Sequence, residues 1–84
     1  MYMHIGQGAV IRAEDIIGIF DLDITSQSHI TREFLRNSEK RGIVVNAAED
    51  IPKSFIVCGG NPDTVYLSQP AASTLLRRAE GNSL

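Results

Sequence analysis

The chain has 84 residues, enough for one hydrophobic core and too few for two. With 43% hydrophobic and 21% charged residues, disorder over most of the length is excluded, and a net charge of -2 excludes bulk attraction to nucleic acid or anionic lipid, so any polyanion must meet a local patch. Cys58 is the single cysteine, which excludes an internal disulfide and a thiolate zinc cluster and leaves a partner subunit as the extra source of stability for so small a domain.

Tyr2 to Ile5 and Ala9 to Arg12 are short β-like runs on either side of Gly6-Gln7-Gly8, a tight turn that needs positive φ, and together they predict an opening hairpin. Ile16-Ile17-Gly18-Ile19-Phe20 is nearly all apolar and too short for a typical helix, which predicts a central strand buried on both faces. Asp21 to Asp23 lead into Thr25-Ser26-Gln27-Ser28, whose side-chain oxygens cap helices, so a helix is expected to begin near Ser26 to Ser28. Ile30, Phe34, Leu35 and Ser38 give it an apolar stripe, and Glu39-Lys40-Arg41-Gly42 ends it at Arg41 with cations in the last turn and glycine at C′.

Ile43 to Asn46, Ser54 to Cys58 and Thr64 to Leu67 predict three more strands, the last two separated by the Gly59-Gly60-Asn61-Pro62-Asp63 turn. Ser68 is expected to cap a second helix, with Pro70 in its first turn and Leu75, Leu76 and Ala79 on its apolar side. The expected fold is α+β, a small, mostly antiparallel sheet with two helices. It forms a single domain over residues 1–80, with 81–84 as a frayed tail. No basic n-region with an apolar run after it opens the sequence, and no apolar run approaches the ~20 residues that cross a bilayer, so a cytoplasmic protein without membrane contact is expected.

Few residues carry chemistry. His4 and His29 belong to no metal-ligand spacing, and no serine stands in a G-x-S-x-G elbow. Cys58 falls in an apolar strand where burial keeps it a neutral thiol. Asp21 and Asp23 share a strand face at period two, the arrangement a carboxylate pair or a hard cation needs, although a solvated strand end accounts for them better. Gly6-Gln7-Gly8 and Gly59-Gly60 lack the following helix and lysine of a phosphate loop, and are turns. A non-enzymatic protein is expected, with no catalytic, cofactor or metal site. Arg32, Arg36 and Lys40 recur every four residues and make one basic ridge with Arg41 close by. Such a ridge binds phosphates, and an oligomer would repeat it; the competing reading is a solvated face flanked by Glu33 and Glu39.

The start MYMHIGQG, the run IRAEDIIGIFD and the ending VYLSQPAASTLLRRA resemble the RemB branch of the bacterial extracellular-matrix regulator family over nearly the whole chain. The related RemA branch implies a small α/β subunit that forms rings and binds upstream DNA to activate biofilm-matrix genes through arginines on the ring surface. In this sequence, the loop that resembles the arginine-rich segment of that branch reads Glu49-Asp50-Ile51-Pro52-Lys53, and Asp15 stands where an arginine precedes the apolar strand. The resemblance therefore implies a homo-oligomeric regulator whose contacts to double-stranded DNA have moved to Arg32, Arg36, Lys40, Arg41, Lys53 or the Arg77-Arg78 pair. The alternative is an oligomeric adaptor that meets a protein partner and needs no DNA.

Overall fold

A computed structural model describes residues 2–22 and 28–81. The chain opens with a two-stranded antiparallel hairpin, β1 (Tyr2–Gly6) and β2 (Ala9–Arg12). Its turn residues Gln7 and Gly8 both have positive φ, 47° and 75°, the backbone hand that matches the twist of hairpin strands. A short 3-10 turn, Ala13–Asp15, leads into β3 (Ile16–Asp21), and the first helix, α1, spans His29–Lys40. There follow β4 (Val44–Asn46), β5 (Ser54–Cys58), β6 (Thr64–Ser68) and a second helix, α2 (Ala72–Gly81).

The four later strands form one sheet in the order β3-β5-β6-β4. β5 is antiparallel to both β3 and β6, while β4 runs parallel to β6, so the α+β, mostly antiparallel expectation holds. β3 and β4 are consequently parallel edge strands of one sheet, and α1 must return across the face between them, as a parallel crossover requires.

Local signals place α1 as the sequence suggests. Ser28 is the N-cap, its Oγ accepting from the Thr31 amide at 3.5 Å. At the other end Gly42, with φ 73°, donates to the Glu39 carbonyl and Ile43 donates to that of Ser38, the paired hydrogen bonds of a Schellman stop. Ser26, the other expected cap, lies outside the described residues.

Alternation along β5 divides the sheet into two faces. Ile56 and Cys58 join the core of Met3, Ile5 and Ile11 from the hairpin, Ala47 from the segment after β4, and Leu75 from α2. Phe55 and Val57 point the other way, toward α1, and the Phe55 ring lies 6.4 Å from that of Phe34. The molecule thus has three layers: hairpin with α2, sheet, and α1.

Two expectations need correction. The Ile16–Phe20 run is not the central strand: β3 is at the sheet edge, a bulge falls between Ile16 and Gly18, and Ile17 is 69% exposed. The central strand buried on both faces is β5, where Ser54, Phe55, Ile56 and Cys58 are all buried. Ser68 is not a helix cap either. It ends β6 with no exposure, and α2 begins only at Ala72, beyond Pro70.

The reason is a better acceptor. Ile5 is the extra residue at the β1 bulge, and its carbonyl receives the Ser68 hydroxyl at 2.6 Å. Ser54 likewise donates to the Pro70 carbonyl at 2.7 Å. These two bonds tie the hairpin and the β6-α2 connection to the sheet through the hydroxyls of two fully buried serines. Ser68→Ala leaves the Ile5 carbonyl unmatched and is expected to cost about 1–3 kcal/mol in urea unfolding, whereas Ser73→Ala on the exposed side of α2 should cost less than about 0.5 kcal/mol. Equal stabilities for the two variants would refute that account of the Ser68 bond.

Candidate nucleic-acid interface

The cations of α1 collect on one side of the helix because the other side is occupied. At 3.6 residues per turn, Arg32 and Arg36 lie roughly opposite Phe34, which faces Phe55, so they point away from the sheet. Lys40 continues the row at the same spacing, and Arg41 caps the helix beside it; all four are exposed. Of the two flanking acids, Glu33 lies 3.4 Å from His29 Nε2, an ion pair whenever that imidazole is protonated. The basic ridge expected from the sequence is therefore a continuous feature of the surface, about two turns of helix long.

The remaining candidates are elsewhere. Lys53 is exposed at the start of β5, where its amide donates to the Ser68 carbonyl and its own carbonyl accepts from Leu22. Its loop is held in shape: the Gln69 side-chain oxygen accepts from the Glu49 and Asp50 amides, each at 3.2 Å, and Asn46 Oδ1 accepts from the Ala48 amide. The loop therefore presents two carboxylates and Ile51 beside one ammonium.

Arg77 and Arg78 are on α2, in the layer on the opposite side of the sheet from the ridge. Arg78 is engaged, its Nη1 donating to the His4 carbonyl at 3.2 Å and fastening α2 to β1. Arg12, the remaining cation, pairs with Glu14 at 3.1 Å. The seven candidate residues thus divide into a row of three on α1 with Arg41 at its C-cap, a single lysine and a pair in another layer.

Groups with catalytic or ligand chemistry are scattered among the described residues. Among the described residues no three of His, Cys, Asp and Glu come together as a metal site. Asp21 pairs with Ser54 in the β3–β5 register, and Asp23 lies outside the described residues. Cys58 is buried at the end of β5, where desolvation, and then the nearby charge of Asp15, push its thiol pKa up and keep it protonated. No helix among the described residues is long and apolar enough to cross a membrane.

The spacing of charges along the chain gives no sign of an apolar groove beside α1. Between α1 and β3 runs an open groove of about 310 Å³, lined by Ile17, Phe20, Ile30, Thr31, Phe34, Phe55 and Val57. α1 covers only part of the sheet face, so Ile30, at helical spacing from Phe34 and expected to be buried, is 78% exposed. Phe20 stacks on Phe55 with ring centroids 5.0 Å apart. Its ring lies over Gly18, where a Cβ would come within 2.6 Å of it.

Comparison with known proteins gives a consistent result. Residues 2–79 match the RemA-like family, described as Extracellular matrix regulatory protein A-like. The chain is also 38% identical over 80 residues to Extracellular matrix regulatory protein B of Bacillus subtilis (strain 168), an overlap that takes in 95% of this chain and 91% of that protein.

Proposed function

The chain belongs to the RemA-like family of extracellular matrix regulatory proteins, and from that membership we propose that it is a non-enzymatic regulator that assembles with copies of itself and binds double-stranded DNA along the outer face of α1 to control gene expression. The observation that carries this reading is the row of Arg32, Arg36 and Lys40 on the side of α1 turned away from the sheet. Three aligned cations release about three counterions on a duplex, which predicts a roughly fortyfold loss of affinity per subunit between 50 and 200 mM salt. Assembly multiplies that weak unit, which is how a chain of net charge -2 holds a polyanion.

A second reading has its own observation. The Glu49-Asp50 loop is fixed by Gln69 and opposes phosphate next to Lys53, which suits an adaptor that meets a protein partner without DNA. Light scattering coupled to size exclusion, with and without duplex DNA at two salt concentrations, separates the two. The regulator reading expects a mass well above the 9.2 kDa of one chain, with duplex taken up at low salt and released at high salt. An assembly that ignores duplex at low salt leaves the adaptor; a monomer at every concentration overturns both.

A further inference from the structure

We propose that His29 and Glu33 make the affinity of the α1 ridge for duplex depend on pH: protonation of His29 lengthens the row of cations by one position and cancels the carboxylate beside it. The inference rests on the duplex binding proposed above and deepens it by naming how that site is regulated.

Helical spacing carries the first half. His29 stands three positions before Arg32 and seven before Arg36, which places it on the same side of the helix as the ridge. With Phe34 turned to the sheet, the imidazole is on the outer side, and its side chain is 78% exposed. When protonated it is the first of four aligned cations; when neutral the row starts at Arg32. Glu33 lies on the flank of that row with its side chain 56% exposed, so its carboxylate opposes a phosphate brought to the ridge. Together the two side chains carry one negative charge when the imidazole is neutral and none when it is protonated.

Their position makes the two groups act as a pair. His29 is the first residue of α1, directly after the Ser28 cap, and the exposed amides of a helix N-terminus oppose a cation there. Glu33 Oε2, one turn on and 3.4 Å from Nε2, offsets that opposition and holds the charged imidazole beside the ridge. The other charged groups on α1 near the pair are Arg32 and Arg36. The strands of the sheet on which α1 packs contain one charged residue, Asp21 at the end of β3, with Lys53 just before β5 accepting from the Leu22 amide through its carbonyl. Asp21 and Lys53 are present in every variant below and cannot account for a difference among them.

Duplex titrations in about 50 mM salt, at about pH 6 and about pH 8, test the pair across the range in which histidine changes charge. The wild type is expected to bind roughly fivefold more tightly at the lower pH, with a salt dependence steeper by about one phosphate contact per subunit. His29→Gln should bind equally at both. His4→Gln, on β1 in the layer across the sheet, should keep the wild-type difference. Glu33→Gln at the higher pH carries the same summed charge as the wild type at the lower, and should match its affinity. Circular dichroism at both pH values checks that each variant stays folded. If the wild type binds no duplex at either pH, the duplex reading fails and this inference fails with it. If it binds equally at both, or if the difference survives His29→Gln, regulation by the pair is overturned while duplex binding stands.

Discussion

Gly6→Ala is expected to destabilise the protein by about 3 kcal/mol, a fall in melting temperature of roughly 12 to 24 °C for a chain of this size. Two causes add. Gly6 has φ 130°, a backbone region that costs a residue bearing Cβ about 1–3 kcal/mol. A Cβ there would also stand 2.6 Å from the Ala47 carbonyl oxygen. That oxygen cannot swing aside: Ala47 is buried, and the Ala48 amide, in the same peptide plane, donates to Asn46 Oδ1 at 3.0 Å. Nor can the hairpin retreat, since the neighbouring Ile5 carbonyl is held by Ser68. Gly8→Ala provides the control, because Gly8 has φ 75° with no atom within 4 Å of its Cβ position and should lose only about 1–2 kcal/mol of left-handed strain. Equal losses for the two variants in a thermal melt would show that close approach to Ala47 contributes nothing.

What could be read from sequence were the features settled by a few neighbouring residues. The hairpin turn, the Ser28 cap and the Gly42 stop depend on φ preferences and on hydrogen bonds spanning three to five positions, so their residues announce them. Strand order is settled otherwise. Ile16–Phe20 and Ser54–Cys58 are equally apolar runs, and the difference between edge and centre is which of them gains two neighbours, a question of topology. Ser68 shows the same limit: a serine after an apolar run reads as a cap, and only the Ile5 carbonyl, 63 residues away, makes it a buried donor.

The candidate site was legible to the same extent. Helical spacing alone aligns Arg32, Arg36 and Lys40, so the ridge needed no tertiary knowledge. Spacing also put Ile30 and Phe34 on the inner side of α1, correctly, but not how much sheet the helix would cover. One helix about 10 Å across cannot cover four strands spaced ~4.8 Å apart, and the strip left bare is the groove. Likewise, Arg78 looked equivalent to Arg77 until folding brought it to the His4 carbonyl.

The triple substitution Arg32→Ala, Arg36→Ala, Lys40→Ala is expected to weaken duplex binding by about two orders of magnitude at low salt and to flatten the salt dependence by close to three phosphate contacts per subunit. All three side chains are exposed, so folding should be little affected, and the mass in solution is read alongside binding to separate a lost contact from lost assembly. That separation matters, because loss of assembly would also abolish binding and mimic a lost contact. Arg77→Ala serves as comparison: it removes the same charge from the layer across the sheet without breaking the Arg78 bond, and should leave the slope unaltered. A mobility-shift titration at two salt concentrations reads affinity and slope together. If the triple variant keeps wild-type affinity while Arg77→Ala loses it, α2 and not α1 faces the duplex, and the ridge is no more than a solvated helix surface.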